Sequence, residues 1–227
     1  MRKRVSTGTP AIDKLVGGFK EKSVNLIIGG TGSGKTIMAM QFLVDGARKG
    51  EHGIYITFEE KKEKAYDDMC SLGWDIEKYE KEGKIEFLEY TPEQVRKIVT
   101  EGGGEIETII EKMKAKRLVI DSMTSFALLY KDELARKEAA LFLFELINKW
   151  NCTALLTSQA VEEVKMFSEI EFEVDSLIVL YHGKFKGIRR RGLEILKMRG
   201  TKIPAKTFPF EITSKGIIVD VRKNYPF

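Results

Sequence analysis

The stretch that most constrains this chain is Gly29-Gly30-Thr31-Gly32-Ser33-Gly34-Lys35-Thr36, set between an apolar run at residues 24–28 and the start of a helical pattern at residues 37–40. An apolar strand that ends in a glycine-rich turn and opens into a helix converges several backbone N–H groups on one point, at the positive end of the helix dipole. Such a point binds phosphate. The spacing G-x-x-x-x-G-K-[ST] assigns the parts: the backbone of Gly30, Thr31, Gly32, Ser33 and Gly34 wraps the β-phosphate, Lys35 reaches the β and γ oxygens, and the Thr36 hydroxyl ligates Mg2+. The chain is therefore expected to bind a nucleoside triphosphate together with magnesium.

With 227 residues and 43% hydrophobic content, the chain has enough apolar material for one α/β domain, and a single domain over residues 1–227 is expected. No run of about 18 apolar residues occurs, and the basic start Met1-Arg2-Lys3-Arg4 is followed by no apolar segment. The expectation is a cytoplasmic protein without membrane association. Cys70 and Cys152 stand apart without metal-ligand spacing, and nothing pairs His52 with His182, which argues against a transition-metal enzyme. Abundant Lys and Glu, with three Gln and four Asn, matches a composition common in hyperthermophiles. The net charge of +4 is unevenly placed, since residues 182–227 hold twelve basic and three acidic side chains. Such asymmetry suits a nucleic-acid surface, a basic face that meets an acidic face on another copy, or a solvated rim.

Residues 4–22 read as a short helix, with Pro10 in its first turn and Gly17-Gly18 at its stop, leading into the strand at 24–28. After the helix that begins at Lys35, residues 53–58 form a second buried strand that delivers Glu59 and Glu60 at its C-terminal end. In open parallel sheets ligands sit beyond the carboxyl ends of strands, so these glutamates arrive on the edge that carries the phosphate loop. Helices at 61–72 and after Trp74, a strand at 85–88 and two helices around Gly102-Gly103-Gly104 follow. Residues 118–121 form an apolar strand ending in Asp121, the pattern of the carboxylate that holds magnesium's water shell in P-loop NTPases. Apolar residues from Leu134 to Trp150 recur at helical spacing and predict a core-packed helix. The strand at 153–157 ends at Ser158-Gln159; a glutamine there can sense the γ-phosphate and pass its loss to the next loop, or simply close a turn. Further on, runs at 176–181, 191–199, 206–213 and 217–221 read as strands joined by hairpin turns at 183–187 and 214–216, which extend the parallel sheet with antiparallel strands.

Residues 6–18, Gly29 to Thr36, Glu59-Glu60, residues 119–122, the tract Ile195-Leu196-Lys197-Met198-Arg199-Gly200-Thr201 and the tail at 209–213 and 216–217 together resemble the KaiC-like ATPases of the RecA superfamily, over almost the whole chain. The resemblance implies a RecA-like P-loop NTPase core, a mainly parallel sheet flanked by helices and extended by C-terminal antiparallel hairpins. It also implies ATP as the nucleotide and a homo-oligomer, a hexameric ring with ATP at the subunit interfaces. Hydrolysis needs a carboxylate that orients and polarises water for in-line attack, and the family's tandem glutamates correspond to Glu59 and Glu60, with Glu59 the expected base. Lys197 and Arg199 alternate along a strand and so share a face. The resemblance implies that they reach the ATP of a neighbouring subunit, where cations supplied in trans are worth about 10³ or more in rate.

The family's clock member has two such domains in tandem and a histidine four residues past the counterpart of Arg199, whereas this chain has one domain and Ile203. Three functions stay open: an ATPase switch in a ring that engages an unidentified protein partner, a recombinase-like DNA-binding ATPase, and a nucleotide-gated scaffold with little hydrolysis. Arg189-Arg190-Arg191 favour nucleic acid. In recombinases, however, the loop after the glutamine-bearing strand contacts DNA, and here residues 161–175 hold six acidic side chains and one lysine, which repel phosphates. The paired glutamates weigh against the scaffold, and the switch ATPase is the expected function.

Overall fold

The computed structural model describes residues 3–58, 60–102, 104–159 and 170–225. Two short strands, β1 (Arg4–Val5) and β2 (Phe19–Lys20), pair antiparallel and bracket helix α1 (Pro10–Val16). The chain continues through β3 (Val24–Gly29), α2 (Lys35–Arg48), β4 (Gly53–Thr57), α3 (Lys62–Ser71), α4 (Ile76–Lys81), β5 (Ile85–Glu89), α5 (Pro92–Glu101), α6 (Gly104–Met113) and β6 (Arg117–Asp121). It ends with α7 (Met123–Ala127), α8 (Glu133–Lys149), β7 (Thr153–Gln159), α9 (Ile170–Glu173), β8 (Ser176–Phe185), β9 (Ile188–Met198), β10 (Phe208–Thr213) and β11 (Gly216–Val219).

Among the described residues the main sheet has nine strands in the order β11-β10-β9-β8-β3-β7-β6-β4-β5. From β8 to β5 every pairing is parallel, and β9, β10 and β11 continue the sheet antiparallel, as the sequence pattern predicts. Parallel strands require helical crossovers, which cover both faces and leave the strands apolar on both sides. Side chains alternate accordingly. Ile27, Tyr55, Val119, Leu155 and Ile178 join one core with α1, α2 and α3, while Leu26, Ile56, Ile120, Leu156 and Leu177 join the other with α5, α6, α7 and α8. Fully buried side chains such as Phe42 and Leu43 on α2 each stabilise this packing by roughly 1.5–3 kcal/mol.

Buried polar groups on α2 and β6 tie the ends of the chain to this core. Gln41 donates Nε2 to Gly8 O at 2.6 Å and to Ile217 O at 3.3 Å, and its Oε1 accepts from Ile217 N at 2.7 Å. A Cβ at Gly216 would lie 2.4 Å from that Oε1, and φ there is +92°, so the closing hairpin can dock only through glycine. At the base of β6, Arg117 is 1% exposed; it donates to Glu51 at 2.7 Å, to Phe42 O at 2.6 Å and to Ser6 O at 3.1 Å, and its guanidinium lies 4.6 Å from the centre of the Phe42 ring. Asp45 stands 3.3 Å from the same guanidinium. Burial pushes its carboxyl up, but hydrogen bonds from Lys49 and Ser6 and the Arg117 charge outweigh this and hold it below the usual carboxylate range.

The short helix expected within residues 4–22 is α1, with Pro10 in its first turn and Gly17 (φ +77°) as its C-cap; the strands β1 and β2 that flank it, two residues each, are too short to leave a periodic signal. Two expectations are corrected. Leu134, expected in the core, is 66% exposed because it lies in the first turn of α8, whose buried stretch begins only at Ala139. The hairpin turn expected at 183–187 is confined to Lys186 and Gly187, with φ of +47° and +82°, a geometry that suits a two-residue hairpin loop. Strands β8 and β9 therefore run on past Leu180, the last residue of β8 paired with β3, and from the pair Gly183 and Arg190, where β9 has left β10 as well, they form a two-stranded ribbon ending in the pair Phe185 and Ile188. Lys184, Arg189 and Arg190 in these pairs are exposed and basic, which hides the strand alternation. Both cysteine thiols are free, and among the described residues no helix is long and apolar enough to cross a membrane.

Replacing Arg117 by Met should lower stability to urea by about 3 kcal/mol, since the carbonyls of Ser6 and Phe42 lose their buried donor. The depressed pKa of Asp45 gives a pH signature. Its contribution is complete above the unfolded-state value of about 4 and is lost as pH falls through the lower folded value. Asp45→Asn should flatten the acid-side fall in stability, and identical declines in the two proteins would refute the assignment.

Candidate nucleotide site

The phosphate loop leaves β3 at Gly29, which is paired on one side with Gln159 of β7 and on the other with Leu180 of β8. It turns through Gly32 (φ +70°) and Gly34 (φ +103°) and enters α2 at Lys35. Fourteen residues of helix thus direct their N-terminal dipole at the loop. Lys35 folds over it, donating Nζ to Gly29 O at 2.9 Å and Gly30 O at 3.1 Å, while Thr36 follows in the first helical turn. Behind the loop the side chains of Ile212 and Ile217 press on Gly34, where a Cβ would meet them at 3.2 and 3.6 Å. The Ser33 hydroxyl is buried beneath the loop without a hydrogen-bond partner.

Neighbouring strand tips hold the crest of the loop. Gln159 Nε2 donates to Thr31 Oγ1 at 3.2 Å, and the Gln159 backbone N–H is itself fixed by Thr124 Oγ1 at 2.7 Å. From the other side His182 Nδ1 lies 3.4 Å from Thr31 O, and Arg191 donates Nε to Gly32 O at 3.2 Å. His182 and Arg191 are directly opposite one another across β8 and β9. Sequence reasoning missed both as loop contacts. Alternation along β8 puts His182 on the same side as Leu180, but that this side lies beside Gly29 follows only from the pairing of β8 with β3.

Asp121 ends β6, two strands from β3, and falls two residues after Val119, so it shares the sheet face that carries α2. Tyr55 donates its hydroxyl to Asp121 Oδ2 at 2.7 Å and Thr157 donates to Oδ1. Thr36 and Asp121 offer oxygen donors only, and one or two protein oxygens beside the phosphates are what a hydrated Mg2+ takes. These residues fit that ion. Of the glutamate pair, Glu59 lies outside the described residues. Glu60 donates its backbone N–H to Thr57 Oγ1 at 3.1 Å, and its carboxylate lies 3.4 Å from Lys64. The adjoining Phe58 N–H reaches Asp121 O at 3.3 Å, so the segment leaving β4 runs beside the aspartate.

Lys197 and Arg199 are not brought to this chain's own phosphate loop. Lys197 pairs with Leu177, which pairs with Leu26, three residues or about 10 Å along β3 from Gly29 and toward the opposite sheet edge. The two cations do share a side, as their alternation predicts. Lys197 donates to Glu171 O at 3.0 Å and Phe172 O at 2.7 Å, and Arg199 donates to Phe172 O at 2.5 Å. Partial burial, then the nearby Arg199 charge, lowers the Lys197 pKa from its ordinary value.

A glycine loop between strand and helix, a glutamine-tipped strand beside it and an aspartate-tipped strand next in the sheet define a P-loop NTPase fold of the RecA type. The chain belongs to the KaiC ATPase family: the family model described as "ATPase: KaiC" matches residues 5–224. A UPF0273 protein of Thermotoga maritima is 36% identical over 96% of both chains. The circadian clock protein KaiC3 of Synechocystis is 33% identical over 95% of this chain but only 45% of its own length. The crystal structure of a KaiC-like protein from the hyperthermophilic archaeon Pyrococcus horikoshii superposes with a TM-score of 0.87 at 37% identity, covering 100% of each chain.

Lys35→Ala should abolish ATP binding in calorimetry while leaving the thermal unfolding midpoint near that of the parent. Unchanged affinity would count against the loop as the phosphate site.

Proposed function

We propose that the protein is a Mg2+-dependent ATPase, a single domain over residues 1–227, that works as a nucleotide-driven conformational switch in a cytoplasmic homo-oligomeric ring. The observation that carries the reading is the bond from Gln159 Nε2 to Thr31 Oγ1, which joins the crest of the phosphate loop to the tip of β7 and so to the chain that leaves it. A triphosphate that occupies the loop competes for these polar groups, and its hydrolysis returns them.

In this reading the loop amides of Gly30, Thr31, Gly32, Ser33 and Gly34 receive the β-phosphate and Lys35 the β and γ oxygens. Thr36 and Asp121 hold magnesium, which neutralises charge on the transferring group. Glu59 takes the proton of the attacking water, with Glu60 beside it. Lys197 and Arg199 serve the site of the adjacent copy, a role supported by their register at the sheet edge away from their own loop. Rings are the assembly expected of the family, and hexamers of this chain would engage a further protein partner.

A second reading, recombinase-like binding of nucleic acid, is favoured by the exposed ribbon that carries Arg189 and Arg190 beyond the sheet. Phosphate release with and without single-stranded DNA separates the two. For the switch, DNA leaves the rate unchanged, and solution mass rises with Mg-ATP. Glu59→Gln should keep ATP binding and lose turnover, and a variant that releases phosphate at the parent rate removes Glu59 from its role. Mixtures of Glu59→Gln with Arg199→Ala should recover part of the activity each lacks; co-assembled mixtures that stay inactive rule out a shared site.

A further inference from the structure

Asp121 is held on both carboxylate oxygens by the two strands that flank its own. Thr57 of β4 is level with Asp121, so Tyr55 stands one diagonal step away on the same face, within reach of a long aromatic side chain. On β7, Leu156 is level with Ile120, which sets Thr157 beside Asp121. The resulting bonds, Tyr55 to Oδ2 at 2.7 Å and Thr157 to Oδ1, come from side chains that are 1–2% exposed or less: Tyr55 is 1% exposed and Thr157 0%.

Neither hydroxyl is required by the packing. The Tyr55 ring stacks on Phe87 with centroids 4.8 Å apart and planes 15° from parallel, a contact that phenylalanine would keep. Thr157 follows Leu155 on a face lined by Ile27 and Val119, where valine has the same shape. Burying two hydroxyls in such surroundings is costly unless they are hydrogen-bonded, and here the Asp121 carboxylate accepts from both. A carboxylate offers about four lone-pair positions, and fixing one on each oxygen sets the plane in which the others are presented.

We propose that Tyr55 and Thr157 are positioning residues for magnesium-nucleotide binding, orienting Asp121 before the metal arrives. This rests on the proposed function. Outer partners of metal-facing ligands, when removed, typically cost about 10- to 100-fold in metal affinity. The effect should fall on the metal-dependent part of binding, because both hydroxyls act on the Asp121 carboxylate.

The test is calorimetric titration of adenylyl imidodiphosphate, an ATP analogue that resists hydrolysis, into the full chain over a series of Mg2+ concentrations and in EDTA. Tyr55→Phe and Thr157→Val should each need about tenfold more Mg2+ for half-maximal binding, with affinity in EDTA equal to that of the parent. Thr157→Ser, which retains the hydroxyl, should behave as the parent. An unshifted Mg2+ requirement in Tyr55→Phe and Thr157→Val overturns the proposal, as does a loss of affinity that is equally large in EDTA. A parent chain that binds no nucleotide overturns the proposed function as well, whereas a parent that binds alongside unshifted variants overturns the positioning role alone.

Discussion

Parallel pairing of β8, β3, β7, β6, β4 and β5 is the constraint on which the rest depends, because it brings the carboxyl ends of strands far apart in sequence to one edge. Gly29, Gln159, Asp121 and the segment after Thr57 arrive there by separate routes through separate helices. None of these groups is near another along the chain. Their proximity costs loop-closure entropy that is recovered in the two apolar layers, so the site inherits its geometry from packing remote from it.

Much of this was legible beforehand. The glycine loop announced itself through spacing, and Asp121 through the apolar strand it terminates. The antiparallel extension was readable because its inner residues, such as Leu193, Ile195, Phe208 and Phe210, are buried in alternation. What escaped was decided by pairing between distant segments. His182 and Arg191 meet the loop because β8 lies next to β3, and no local pattern encodes that adjacency. No pattern in the sequence marks Arg117 or Gln41 for the interior, yet each is buried, because carbonyls and, for Arg117, carboxylates from other segments close around them. Leu134 failed in the other direction, its periodicity being real and its turn of helix lying beyond the core.

The buried polar groups divide by what they join. Arg117 and Gln41 fasten chain ends to α2 and the sheet, at positions where substitution opens unsatisfied acceptors. Gln159, His182 and Arg191 hold the loop crest with exposed or half-exposed side chains, on bonds of 3.2–3.4 Å that a charged ligand can displace at small cost. Firm attachment thus surrounds a loop that is itself loosely held, the distribution expected where a ligand must exchange contacts.

The placement of Lys197 and Arg199 at the edge away from their own loop carries an arithmetic consequence under the shared-site reading. An open row of copies always leaves one terminal loop without borrowed cations and one terminal pair of cations with nothing to serve. Only a closed circle completes every pocket. Turnover per copy would then climb as a row lengthens and reach its ceiling at closure, so that the geometry of a single strand pairing rewards the finished assembly over every partial one.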